Sequence, residues 1–212
     1  MYGCRLSAYD LQPDIRKRLH RMQQKEYIMK NKFGIKEVVA TGIGTALFIV
    51  LTNVQIPLGF IPNTSLQPRA ALLAFFAAVF GPVVGGIMGL AGHAIGDALF
   101  YGSVWWSWVF PDAVFGIAIG LFAKQFAVKE GGFNTKQIVK FNIVQVVGNL
   151  IAWVLVAPVL DILIYAEPAN KVFVQGAAAF VANIIAVGVL GTILTAAYSK
   201  IGAKSSSLTK ED

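Results

Sequence analysis

Four runs of the chain carry no Asp, Glu, Lys or Arg: Val38 to Pro68, Ala70 to Gly96, Phe141 to Leu160 and Val172 to Ser199. At about 1.5 Å per helical residue each can cross a hydrocarbon layer of about 30 Å. Breakers and a further apolar stretch divide the chain into six predicted helical spans. The first begins at Glu37 and runs through VVATGIGTALFIVLTNV. In QIPLGFIPNTSLQPR, which follows, Pro57, Pro62 and Pro68 exclude a regular helix, and a loop this long and apolar is expected to fold back over the protein. Ala70 to Phe80 is the second span, and Gly81-Pro82 is the break that starts the third. The fourth runs from Ser107 to Ala123, the fifth from Ile138 to Leu160 with Pro158 ending it, and the sixth from Val172 to Ser199. A loop with Asp161, Glu167, Pro168 and Lys171 joins the last two.

Within the third span, Gly81, Gly85, Gly89, Gly92 and Gly96 are spaced 4, 4, 3 and 4. They fall within about 80° of one helix face, where another backbone can come close. In water each glycine would weaken a helix by about 1 kcal/mol against alanine, whereas small-residue stripes are how helices pack in lipid. Ala40 with Gly44 and Gly42 with Ala46 are small pairs in the first span, and Gly116 with Gly120 is one in the fourth. In the fifth, Asn142, Gln145, Asn149 and Trp153 share a face that must look into the bundle, because polar groups against lipid are costly.

Composition agrees with an all-α, polytopic membrane protein. The 212 residues are 56% hydrophobic and 14% charged, which leaves too little polar surface to cover a soluble domain of this size. A net charge of +7 would suit nucleic acid, but its distribution points elsewhere. Nine of the 18 Lys and Arg precede Val38, four lie from Lys124 to Lys140 and three from Lys200 onward, a positive-inside pattern. Six spans then place both termini in the cytoplasm, with no nucleic-acid partner. Residues 1–32 read as a basic polar extension, expected to be disordered, with Met29 as a natural beginning and an interfacial helix through Ile15, Leu19 and Met22 as the alternative. Residues 33–203 form the membrane domain and 204–212 a polar tail. The single Cys4 offers no internal disulfide.

Candidate chemistry gathers at the outer end. His93 and Asp97 are one turn apart beside the glycine stripe, Asp112 opens the fourth span, and Arg69 precedes the second. Buried carboxylates with an arginine either hold loops down as an ion-pair network or form the polar end of a ligand pocket. Tyr101, Trp105, Trp106 and Trp108 are either an interfacial belt or stacking walls for a flat ligand, and the belt must take at least one of the tryptophans. Asn149 and Trp153 suit a heterocycle or an interhelical hydrogen bond. No G-x-S-x-G, H-E-x-x-H, C-x-x-C or Walker A motif occurs, so neither catalytic residues, a metal nor a cofactor is expected, and any ATP is handled by another chain.

On ATGIGTALF, IPNTSLQPR and FGPVVGGIMGLAGHAIGD with the WWSW loop behind it, the chain from Met29 to Ala203 resembles the S components of energy-coupling factor (ECF) vitamin transporters, most closely the riboflavin and hydroxymethylpyrimidine types. The resemblance implies a six-helix subunit of the bacterial cell membrane that binds a vitamin or precursor near its outer face. It also implies a membrane T component and two cytoplasmic ATPases as partners, with the docking motif falling on Ala40 and Gly44. The expected substrate-binding residues are Arg69, His93, Asp97, Trp105, Trp108, Asp112, Asn149 and Trp153. A self-sufficient carrier or channel and an intramembrane enzyme are the competing readings.

Overall fold

The computed structural model describes residues 18, 34–59, 61 and 64–208, with side chains described as far as Gly202. Met1–Ile35 and Lys36–Asp212 group as two separate units. Apart from Arg18, the expected extension over 1–32, the interfacial helix and the Met29 start lie outside the described residues. In the expected C-terminal tail, backbone 204–208 continues the last helix.

Helix α1 (Ile35–Leu51) leads into a short antiparallel hairpin, β1 (Ile56–Pro57) on β2 (Ser65–Leu66). Then follow α2 (Arg69–Phe80), α3 (Pro82–Phe100), α4 (Trp106–Leu121) and the short α5 (Ala123–Phe126). Helix α6 (Thr135–Asn149) passes through a π-helical segment (Leu150–Val156) into α7 (Ala157–Tyr165). Helix α8 (Ala169–Ala186) passes through a second one (Val187–Gly191) into α9 (Thr192–Leu208). Helices thus occupy all six expected positions. Pro82–Phe100, Thr135–Tyr165 and Ala169–Gly202 are long and apolar enough to cross a membrane, while Arg69–Phe80 and Trp106–Leu121 are shorter apolar helices.

Polarity runs opposite to that of a water-soluble protein. Val38, Ile43, Leu99, Leu121, Ile143, Leu163, Val174 and Ile193 are exposed, whereas Arg69, His93, Asp97, Asp112, Asn149 and Asp161 are buried. Only an apolar surrounding makes that arrangement favourable.

The glycine stripe does what its spacing predicts. A side chain on Gly85 would strike the Gly116 backbone, one on Gly89 would meet the Asp112 carbonyl oxygen at 2.5 Å, and one on Gly120 would strike Pro82. Pairings that fall on one helix as they rise on the other make α3 and α4 antiparallel at close backbone approach. Farther along α3, Gly92 receives Phe48 and Gly96 receives Thr52, while Met88 lies on Gly44. This constant offset of 44 residues sets α1 parallel to α3. Gly81, at φ 94°, makes the turn between α2 and α3, and Pro82 starts α3 where its missing N–H costs nothing.

Pro158 does not end the fifth helix. Upstream the chain widens to π geometry, with Ala157 N–H donating to the Ala152 carbonyl five residues back, and the helix continues to Tyr165. Widening displaces the carbonyls that a proline ring would otherwise strike and re-phases the residues beyond it. Gly176 of α8 fits against the Trp153 carbonyl and the Pro158 ring, where any side chain would collide.

Candidate ligand-binding site

Arg69 is the first residue of α2, His93 and Asp97 lie one turn apart late in α3, and Asp112 sits in the second turn of α4. Contact between Gly89 and the Asp112 backbone brings that carboxylate to the next turn of α3. Its Oδ2 is 2.8 Å from His93 Nδ1. The contact lies off the N–H axis, so Nδ1 has no aligned hydrogen-bond partner among the described residues. On the other side of the ring, Nε2 is 3.2 Å from Arg69 Nη2 and 3.4 Å from Asp97 Oδ1. Arg69 is held further by donating to Thr52 Oγ1 at 3.3 Å and by lying 5.1 Å from the Phe48 ring centre. All four ionisable groups are less than 10% exposed. Two acids therefore share one arginine and a histidine in a setting where water screens little.

Asp161 organises the aromatic wall. Its Oδ1 accepts from Trp105 Nε1 at 2.7 Å and Ser107 Oγ at 2.5 Å, and its Oδ2 accepts from Trp108 Nε1 at 2.9 Å. Trp105 also stacks on Tyr165 at 4.3 Å, and its backbone N–H donates to Asp97 Oδ2 at 3.2 Å, tying the wall to the ionic chain. The Trp108 ring lies 5.7 Å from that of Trp153, whose Nε1 is buried with no acceptor among the described residues. Trp106 is 43% exposed and packs near Phe110, so it takes the outward position.

The folded-back loop forms the rim. Gln55 accepts from Ser65 Oγ at 2.8 Å and Gln67 Nε2 at 3.0 Å, and donates to the Tyr101 hydroxyl at 3.3 Å, fastening the hairpin to the end of α3. Lys171 and Glu167 pair at 2.7 Å on the opposite side. Together these elements enclose a cavity of about 650 Å³, within the size range of small-molecule sites.

A polar, aromatic-walled cavity inside an apolar-surfaced helix bundle is the form of a membrane solute-binding component, and comparison with known proteins agrees. Residues 32–200 match the family model for the S component of ECF-type riboflavin transporters. The chain belongs to this family. It is therefore a helical membrane protein and a substrate-binding subunit of the ECF importer type, whose S components associate with a T component and ATPases. The S-component chain is 53% identical to a UPF0397 protein of Exiguobacterium sp. over 182 residues, covering 85% of this chain and 99% of that one. It is also 48% identical to a UPF0397 protein of Enterococcus faecalis over 184 residues, 86% of this chain and 100% of that one. A Streptococcus gordonii UPF0397 protein is 49% identical over 184 residues, 87% and 98% of the two chains. No solved structure matches.

Of the eight residues expected to bind substrate, Arg69, His93, Asp97, Trp105, Trp108, Asp112 and Trp153 line the cavity of this S component. Asn149 does not. It is fully buried, and its amide donates within its own helix to the Gln145 carbonyl at 2.9 Å and to Gln145 Oε1 at 3.0 Å. Ala40 and Gly44, expected at the docking surface, face inward instead: a side chain on Gly44 would meet Met88 at 2.8 Å and Phe76 at 3.0 Å. The small pair turned outward is Gly42 and Ala46. Sequence reasoning passed over Asp161, Gln175 and Asn183 as cavity residues, while Tyr101, weighed there as belt or stacking wall, also lines the cavity. Gln175 and Asn183 carried a usable signal, as polar residues about two turns apart on an apolar span. Asp161 carried none, because Pro158 placed it in a loop.

Proposed function

We propose that this S component captures a small, flat, water-soluble vitamin or vitamin precursor, of the size of hydroxymethylpyrimidine, a vitamin B6 form or riboflavin, at the outer face of the bacterial cell membrane. One observation carries the reading: residues from α2, α3, α4, the first π segment, α7 and α8 converge on a single cavity that joins buried ionisable groups to indole walls. Rings stack on tryptophan, while the polar groups discriminate, because each contact left unpaired by a wrong ligand costs about 1–3 kcal/mol.

In this reading the six helices all cross the membrane and both termini are cytoplasmic. Delivery needs the T component and two ATPases, and the first helix meets the T component through Gly42 and Ala46, the small pair on its lipid-facing side. Exposed Val38, Val39, Ile43 and Leu47 flank that pair and supply the surrounding apolar contact.

The test is to purify the chain alone in detergent and identify by mass spectrometry the small molecule that accompanies it. An intact heterocycle at near one per protein is expected. Chemically altered product would favour an enzyme, and transport by the chain alone in liposomes without ATPases would favour a self-sufficient carrier.

A further inference from the structure

The cavity carries an imbalance of charge that bears on the identity of the ligand. Its described lining holds four acids, Asp97, Asp112, Asp161 and Glu167, against three basic side chains, Arg69, His93 and Lys171. At the rim Glu167 and Lys171 cancel one another. Inside, Asp161 spends both oxygens on three donors and holds the indoles in place. Asp97 and Asp112 remain, at 5% and 3% exposure, and the one arginine beside them is shared through His93. Counting His93 as a base as well, the three interior carboxylates Asp97, Asp112 and Asp161 still outnumber Arg69 and His93, and a buried carboxylate without a counter-ion is costly.

A second observation concerns hydrogen-bonding capacity. Trp153 lines the cavity at 5% exposure, and its indole N–H has no acceptor among the described residues. Such a donor is normally satisfied, by protein, water or ligand. Trp105 and Trp108 also line the cavity, and indole rings attract a cation.

We propose that the ligand is a positively charged heteroaromatic molecule, its cation facing Asp97 and Asp112 and a hydrogen-bond acceptor on its ring facing Trp153 Nε1. This rests on the capture function proposed above and narrows it from flat heterocycles in general to cationic ones. Phosphorylated or carboxylated forms are excluded by the same carboxylates.

Matched probes test it. Pyridoxamine, pyridoxine and pyridoxine 5′-phosphate share a ring and differ by a cation, a neutral hydroxyl and an anion; thiamine and thiamine monophosphate form a second series. Titrated calorimetrically at pH 7 into the full chain in detergent, freed of bound small molecules, the cationic member of at least one series binds at least tenfold tighter than its neutral or phosphorylated counterpart. Asp97→Asn and Asp112→Asn each weaken the cation at least tenfold and narrow the preference, while Trp153→Phe, which keeps the ring and removes the N–H, weakens it several-fold. A neutral or phosphorylated member binding as tightly as the cation, or a co-purified molecule without positive charge at pH 7, overturns the charge assignment and leaves capture standing. If no small molecule co-purifies and neither series binds, both proposals fall.

Discussion

The two ends of the bundle are built from different materials. At the cavity end, polar and ionisable groups from six segments face a space of about 650 Å³ under a two-stranded rim. At the opposite end Phe126, Val128 and Phe141 are fully buried and Phe133 nearly so, with Phe141 meeting Phe126 and Phe133 edge-on at 5.5 and 5.8 Å. Even the polar contacts there close the structure. Ser199 Oγ accepts from the Phe133 N–H at 3.2 Å, and Lys129 pairs with Glu37 at 3.5 Å while lying 4.8 Å from the Phe80 ring centre. The same helices run through both ends. A binding component of this kind therefore opens at one end and is sealed at the other by packing, and stability and affinity should separate along its length.

The largest effect is expected where the two ends share a support. Gly89→Leu drives a side chain into the Asp112 backbone, which cannot yield as a flexible side chain could. No folded protein should be recovered, and a monodisperse, ligand-binding G89L protein would show that the α3–α4 seam is not what sets the cavity. Phe141→Ala, at the sealed end, should cost about 3–5 kcal/mol in reversible unfolding while leaving ligand affinity within twofold. A parallel loss of affinity would mean that the ends are coupled. Asp161→Ala, at the cavity end, moves affinity where Phe141→Ala does not: three donors lose their acceptor, about 1–3 kcal/mol of stability goes, and affinity drops at least tenfold. Tryptophan fluorescence should shift with it, since the Trp105 and Trp108 indoles are released.

The first helix sharpens the contrast from the side. Gly44→Leu overpacks against Met88 and Phe76 and should cost about 1–3 kcal/mol, whereas Gly42→Leu, with open space around it, should leave the melting temperature unchanged and reduce uptake in cells that supply the T component and ATPases. Equal uptake by G42L and the parent would move the docking surface elsewhere. Smallest of all is Lys129→Ala, a half-exposed pair expected to contribute under about 1 kcal/mol to thermal stability and nothing to affinity.

Helix positions were readable from uncharged runs and breakers, and the Gly81-to-Gly96 stripe announced a close backbone contact before any partner was known. Polarity within apolar spans likewise marked His93, Asp97, Asp112 and Trp153, because an ionisable or hydrogen-bonding group in such a setting must find the interior. Asn149 shows where that reasoning stops: burial of a polar group follows from its sequence setting, but whether it meets a ligand or its own helix does not.

What the chain by itself determined is where the helices lie (except beyond Pro158), which helix face carries small or polar groups, and that the surface is apolar. These follow from a period of 3.6 residues and from the cost of polar groups in lipid, both local properties. Only the tertiary structure decided which way each face turns. Two small pairs in α1 differ by two residues, hence by about 200° of rotation, and the packing of Phe48 on Gly92 chose Ala40 and Gly44 for the inside. Asp161 became the anchor of the indole wall through the π segment before Pro158, which kept the helix going and changed its phase. A helical period predicts angles only while the period holds, and here it changes two turns before the residue that organises the site.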